Sequence, residues 1–396
     1  MLYYLRHLDP WFGPFRLFGY WSFRSMAAAV TAFAVILVLG PYVIRALKQR
    51  GARDQGREFG GLNVISKEGT PTMGGLLILA GLFAAALLWC DLGSQQVRIA
   101  LVAACFFGGI GALDDLLKVR HHSNERGLSR HWKYAAQIAF GAAVGWLLLS
   151  AASSPYPVDV SRTLTVPVYR PRPEASPPAA QRVTDGAAQL GADPGAIKQR
   201  PELGIYLGWA YFGVIIVFIV LSSNSVNITD GLDGLAIVPA MLVAAVLGVF
   251  AYVAGEESIA QLLWFNYLPG CTELTIVCAA VIGAGAGFLW FNSHPASLFM
   301  GDTGSLALGG TLGTIALLVK QEFVFFLAGG LFVVEAGSSF IQDYIGLKLL
   351  GRRIFFRAPY HHSLMHQGYS ETKVTIRFWI LSAIFAVMAL STLKLR

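Results

Sequence analysis

Ten apolar runs, most of them close to membrane-spanning length, leave this chain few folds other than a bundle of helices in lipid. A helix needs about 20 apolar residues to cross a bilayer. Such runs cover residues 25–46, 72–91, 97–113, 132–151, 204–223, 235–254, 272–291, 303–320, 323–344 and 375–393, the third being short and glycine-rich. Of 396 residues 55% are hydrophobic and 13% charged, against about 25% charged in soluble domains. The expectation is an all-α polytopic membrane protein of about ten transmembrane helices. The net charge of +7 raises nucleic acid as a partner. The basic residues cluster in a few loops, however, so membrane orientation explains them better and no nucleic acid is expected.

Lysine and arginine set the orientation. Lys48, Arg50, Arg53, Arg57 and Lys67 follow the first run, and Lys118, Arg120, Arg126 and Arg130 follow the third. Lys348, Arg352, Arg353, Arg357 and Lys373 follow the ninth, whereas the loops after runs two, six and eight hold only Arg98 and Lys320 at their margins. The positive-inside rule makes the odd-numbered loops cytoplasmic. Both termini are then periplasmic. Residues 1–24 are aromatic-rich and broken by Asp9, Pro10 and Pro14. They read as an interfacial anchor rather than a cleavable signal. Residues 152–203 carry nine of the seventeen prolines and read as a long periplasmic loop, partly ordered. No CxxC pair occurs among Cys90, Cys105, Cys271 and Cys278, which read as packing residues. No internal repeat is evident.

Five aspartates interrupt the apolar pattern: Asp114, Asp115, Asp230, Asp233 and Asp302. A carboxylate near hydrocarbon costs several kcal/mol unless solvated, paired or bound to a cation. All five fall in or beside odd-numbered loops, with Lys67, His361 and His362. That common side, fixed by Lys and Arg alone, predicts a cytoplasmic-face active-site cleft. Gathered carboxylates suggest a divalent cation, and the surrounding Lys, His and Gly suggest phosphate.

The segments differ in how firmly they speak. In KEGTPTMGG (67–75) Lys67 suits phosphate, Thr70 and Thr72 offer hydroxyls, and Gly74 and Gly75 permit close helix approach; a snorkelling lysine and a packing pair are the plain alternative. DDLLKVRHHSNERGLS (114–129) leaves the third run, and its adjacent carboxylates suit a general base. Lys118 at i+4 from Asp114 allows a simple ion pair instead. His121 and His122 read as solvated. In NSVNITDGLDGLA (224–236), Asn224, Asn227, Asp230 and Asp233 recur every three residues, which on a helix makes one polar seam. FNSHPASLFMGDTGSLALGG (291–310) opens the eighth run on a glycine-rich turn whose N–H groups suit phosphate, with Asp302 beside it as a magnesium ligand or an N-cap. It is not a P-loop. In PYHHSLMHQGYSETKV (359–374), His362 and His366 are four apart, which allows zinc, but no HExxH follows; phosphate contacts or structure fit better.

Together PTMGG, DD with NERGLS, NITDGLDGLA, FMGDTGS and PYHHSLMHQG, in this order, resemble the polyprenyl-phosphate N-acetylhexosamine-1-phosphate transferase superfamily. Within it the last motif resembles the phospho-N-acetylmuramoyl-pentapeptide transferase branch rather than the N-acetylglucosamine branch, which stays as the nearer alternative. A membrane transporter is the more distant one. The resemblance covers the chain apart from residues 1–24 and 152–203. It implies a multi-pass enzyme of the bacterial inner (cytoplasmic) membrane, facing the cytoplasm. It also implies Mg²⁺-dependent transfer of phospho-MurNAc-pentapeptide from UDP-MurNAc-pentapeptide to undecaprenyl phosphate, with a homodimer as the assembly. Carried over by residue, it implies Asp302 as metal ligand and the Asp114–Asp115 pair as catalytic. His361 and His362 would be a pair required for activity. Lys67, Thr72, Asn227, Asp230, Gly231 and Asn292 would lie on the nucleotide side, with Asp233 and Ser305 in the same polar cluster. Phe299 and Gln342 would contact the uracil.

Overall fold

The computed structural model describes residues 2–50, 69–121, 127–167 and 204–394. Lys67, His122 and the middle of the 152–203 segment lie outside them. Each apolar run contains helix, beginning with α1 (Trp21–Gln49), α2 (Gly75–Trp89), α3 (Gln95–Arg120), α4 (Arg130–Leu149), α5 (Tyr211–Thr229), α6 (Ile237–Gly255), α7 (Thr272–Asn292) and α8 (Gly301–Leu318). After them come α9 (Glu322–Ala328), α10 (Gly330–Phe340) with a π-helical continuation Ile341–Leu349, α11 (Tyr360–His366) and α12 (Glu371–Ser391). Among the described residues six helices are long and apolar enough to cross a membrane. A seventh span forms if α9 and the Gly330–Leu349 segment, bent by 83° against each other, count as one. The chain is therefore a helical, multi-pass membrane protein. At 15 residues α2 is apolar but short, and α4 and α8 carry more polar or small residues.

The ninth run, read as one span over 323–344, is broken into two helices. Gly329 and Gly330 fall at the break, and glycine weakens a helix by about 1 kcal/mol relative to alanine. A small antiparallel sheet, β1 (Thr163–Thr165) with β2 (Gly204–Tyr206), pairs the two ends of the 152–203 segment. It displaces the fifth run: residues 204–206 are strand and α5 starts at Tyr211. Tyr156 donates to the Leu318 carbonyl at 2.8 Å, Lys320 to the Ser161 carbonyl at 3.1 Å, and Tyr211 to Glu322. Also at this end, Arg24 grips Glu273 through two hydrogen bonds of 2.6 and 2.8 Å, tying α1 to α7.

At the centre stands α8, buried from Thr303 to Leu318 and packed against α2, α3 and α5. Its sequence, GDTGSLALGGTLGTIALL, is rich in Gly, Ala, Ser and Thr. Small residues let helix backbones approach closely, which is how helices gain packing energy in lipid. A Cβ on Gly75 would overlap the backbone of Gly304, and one on Gly111 would overlap that of Asp302 and Thr303. Gly109, on the same helix as Gly111, faces open space. Gly111→Ala is expected to lower the melting temperature of purified protein and Gly109→Ala to leave it unchanged or raised. Overpacking typically costs about 1–3 kcal/mol. Equal melting curves for the two variants would contradict this packing.

Candidate active site

Three segments far apart in sequence meet at the start of α8. Residues 71–75 lie along residues 299–300: Phe299 N–H donates to the Pro71 carbonyl (2.8 Å), Gly74 N–H to Phe299 (2.8 Å) and Gly75 N–H to Met300 (2.9 Å). This places Thr72 beside Gly301, which has a φ of +71°. A Cβ there would stand 3.0 Å from the Thr72 hydroxyl and against the Asp115 carboxylate, so a side chain is excluded by both conformation and space.

The third segment is the end of α3. This helix runs seven residues past the expected end of its run, so Asp114 and Asp115 lie within it, not beyond it, and are buried. Asp115 faces the first turn of α8. One oxygen accepts from Asp302 N–H at 3.1 Å; the other accepts from Thr303 N–H at 2.9 Å and the Thr303 hydroxyl at 2.6 Å. A carboxylate from a neighbouring helix thus does the work of an N-cap, satisfying donors that would otherwise be orphaned. Asp302, for which an N-cap was the alternative role, lies inside the first turn and is not the cap.

Asp114 points the other way. Its Oδ1 accepts from Leu128 N–H at 2.6 Å. Its Oδ2 lies 2.6 Å from Lys118 Nζ and 2.8 Å from Lys133 Nζ. Both ammoniums also reach Asp302 Oδ2, at 3.2 and 2.7 Å. Asn227 donates its amide to Asp302 Oδ1 at 3.0 Å and to the Ser305 hydroxyl at 2.8 Å. Oxygens of Asp114, Asp115 and Asp302 lie within 4.8 Å of one another. Three carboxylates face two ammoniums, formally one negative charge in excess. An all-oxygen set of this kind suits a hard divalent cation. With Asp115 committed to the helix end, Asp302 is the residue that would hold one, with Asp114 beside it.

The polar seam expected over Asn224–Asp233 is not a single helical face. Helix α5 ends at Thr229, Asp230 is its half-buried C-cap residue, and the chain turns. Asn224 bonds Gln137 at 2.6 Å, while Asn227 joins the carboxylate cluster. Asp233 belongs to a second group: its carboxylate accepts from Ala296 N–H (3.1 Å) and meets His294 Nδ1 (2.9 Å), and its N–H donates to Glu371 (2.9 Å). Asn292 ties the same loops, accepting from Gly234 N–H and donating to the Leu298 carbonyl, each at 2.9 Å. Gln342 is buried and accepts from Ile354 and Phe355 N–H at 3.2 and 3.0 Å. These three hold loops together in the structure. Phe299 is half-buried beside the cluster.

His361 is fully buried against Gly231, and its ring centroid is 4.1 Å from that of half-buried His362. His366 is exposed and stacks on Phe356, and among the described residues His362 and His366 join no candidate metal group. The sequence reading passed over Lys133 and Glu335. Each is a charge within or at the start of an apolar helix, the signal that singled out the aspartates.

Asp115→Asn keeps the acceptor but loses the charge and one set of lone pairs facing donors. It is expected to destabilise the fold by about 1–3 kcal/mol, read as a lower melting temperature. An unchanged melting temperature would count against its role at the end of α8.

Residues 97–320 match the model of Glycosyl transferase family 4. Residues 67–79 match signature 1 of phospho-N-acetylmuramoyl-pentapeptide-transferase. A relative from Rhodopseudomonas palustris (strain BisB18), named Phospho-N-acetylmuramoyl-pentapeptide-transferase, is 40% identical over 397 residues, covering 100% of both chains. Together with the motif order and the carboxylate cluster, these matches show that the chain belongs to glycosyl transferase family 4 and, within it, to the phospho-N-acetylmuramoyl-pentapeptide transferases.

Proposed function

We propose that this protein transfers phospho-N-acetylmuramoyl-pentapeptide from UDP-MurNAc-pentapeptide to undecaprenyl phosphate in peptidoglycan synthesis, releasing UMP and forming lipid I. The observation that carries the reading is the Asp114–Asp115–Asp302 cluster with Lys118 and Lys133, at one end of two apolar helices. The acceptor is a lipid phosphate, so the reacting groups must lie where the bilayer meets water. Phosphoryl transfer asks a protein for position and charge neutralisation more than for covalent chemistry.

The acceptor phosphate oxygen attacks the phosphorus that carries the sugar. The bond from that phosphorus to the UMP oxygen breaks, and UMP leaves with the electron pair. Lys118 and Lys133 now neutralise Asp114 and Asp302 and are placed to turn to phosphate oxygens instead. Losing these counter-ions frees Asp114 to take a proton from the acceptor phosphate. Asp115 stays on α8 and keeps Asp302 in register. Asp302 would hold Mg²⁺, which would supply charge neutralisation at the diphosphate. Thr72, Asn227, Asp230, Gly231 and Ser305 border this cluster or the turn next to it and form the nucleotide side, with Phe299 toward the base. Lys67 is assigned there on sequence alone. Asp233, Asn292 and Gln342 support it from the loops.

The full reading has ten spans, a cytoplasmic-face cleft in the bacterial inner membrane, both termini periplasmic, residues 1–24 as an interfacial anchor, and a homodimer. The lysine and arginine distribution supports the orientation.

Purified protein with both substrates and Mg²⁺ is expected to release UMP, and to lose this when UDP-N-acetylglucosamine replaces the donor. Equal turnover of the two donors would reassign the chain to the N-acetylglucosamine branch. Asp302→Asn is expected to stay folded, lose most activity and alter the Mg²⁺ dependence. Asp114→Asn is expected to bind the UDP donor with near-normal affinity but turn over about 10²–10⁴-fold more slowly, the range for a general base. A wild-type kcat, or failure only through donor Kd, would remove Asp114 from that role. For orientation, His121→Cys in a Cys105→Ser background should react with an impermeant thiol reagent only after the inner membrane is opened. Labelling of intact spheroplasts would reverse the topology.

A further inference from the structure

Glu335 lies in the apolar helix α10 with no exposed surface. Its Oε2 is 2.7 Å from His361 Nδ1, and its Oε1 accepts from the His361 backbone N–H at 3.1 Å. Among the described residues, His361 is the side chain that meets this carboxylate. A buried carboxylate without compensation costs several kcal/mol, so this contact is not incidental. The carboxylate requires the proton on Nδ1, which fixes both the tautomer and the direction of the ring. The other nitrogen, Nε2, is buried, has no hydrogen-bond partner among the described residues, and abuts Gly231 so closely that a Cβ there would overlap it. Gly231 follows Asp230, which ends the helix carrying Asn227, and Asn227 bonds Asp302.

We propose that Glu335 is a positioning residue for the transfer reaction. It holds His361 through Nδ1 and the backbone so that Nε2, left unprotonated, is aimed at the Gly231 turn, where a ribose hydroxyl of the donor's nucleotide donates the hydrogen bond that Nε2 lacks. Carboxylate partners orient metal-bound imidazoles in the same way. The proposal rests on the transferase reading of this site. The competing account is that Glu335 only ties α10 to the first turn of α11.

A double-mutant cycle separates them. Wild type, Glu335→Gln, His361→Asn and the double variant are purified full-length. For each, kcat and KM for UDP-MurNAc-pentapeptide and the melting temperature are measured. Asparagine at 361 keeps a donor near Nδ1 and removes Nε2. Full activity of His361→Asn would remove His361 from the reaction and with it the reading on which the proposal rests. If His361→Asn is impaired, Glu335→Gln is expected to stay folded and lower kcat by about 10–100-fold, the range for such partners. Adding it to His361→Asn should then cost less than about twofold more. Multiplying losses, or a wild-type kcat in Glu335→Gln, would overturn the proposal. Should Glu335→Gln not fold, histidine ¹⁵N spectra of the wild type decide: a protonated Nδ1 on His361 supports it, and an Nε2–H tautomer overturns it.

Discussion

The site depends on a carboxylate borrowed from one helix to finish another. Asp115, five residues from the end of α3, accepts two backbone N–H groups and one hydroxyl from the first residues of α8. Helix α8 starts between packed helices, with Gly301 and Asp302 half-buried and Thr303 buried, and its first N–H groups have no partner within the helix. Capping by Asp115 therefore fixes where α8 begins, which way Asp302 faces, and how closely α3 lies against it. The same requirement explains Gly111 and Gly301: the two backbones and the carboxylate fill the space a side chain would take.

Charge burial organises the rest. Asp114 and Asp302 share two ammoniums; Glu335 has His361; Asp233 meets His294 and Glu371; Arg24 has Glu273 at the opposite end. Such pairs gain little net stability over apolar packing, but breaking one by removing a partner is costly. They are better understood as registration devices, linking helices whose apolar faces alone would slide. At the aspartate-bearing end the pairs share ions, and Lys118 and Lys133 each contact two carboxylates. A phosphate that enters can exchange partners with them without creating an isolated charge. That property suits a phosphoryl transferase that works at the edge of hydrocarbon.

Glu335 and Lys133 are instructive because the sequence contains their signal. Each breaks an apolar run, as Asp302 does, but neither sits in a glycine-rich or histidine-rich motif that draws the eye. Lys133 stands 19 residues from Asp114 in the chain, across a segment that includes residues outside the described part, and only the meeting of α3, α4 and α8 puts its ammonium on both carboxylates. Conversely, Asp114 and Asp115 look equivalent in sequence. Adjacent helical positions point about 100° apart, so one caps a helix and the other faces the lysines.

Apolar length and charge placement alone determined that the chain is a helical membrane protein, and motif order determined its family. Both are properties of short windows read against the thickness of a bilayer and a known pattern, and neither needs long-range contacts. Tertiary packing decided the rest. Helix α5 stops at Thr229, so the regular Asn–Asp spacing splits: Asn227 goes to Asp302, and Asp233 goes to His294 and Glu371. The ninth run bends by 83° at its glycines, and α3 continues through its aspartates, where α8 offers donors to Asp115 and the lysines meet Asp114. Which polar atom meets which depends on where helices end and cross, and those are outcomes of side chains distant in sequence competing for the same buried space.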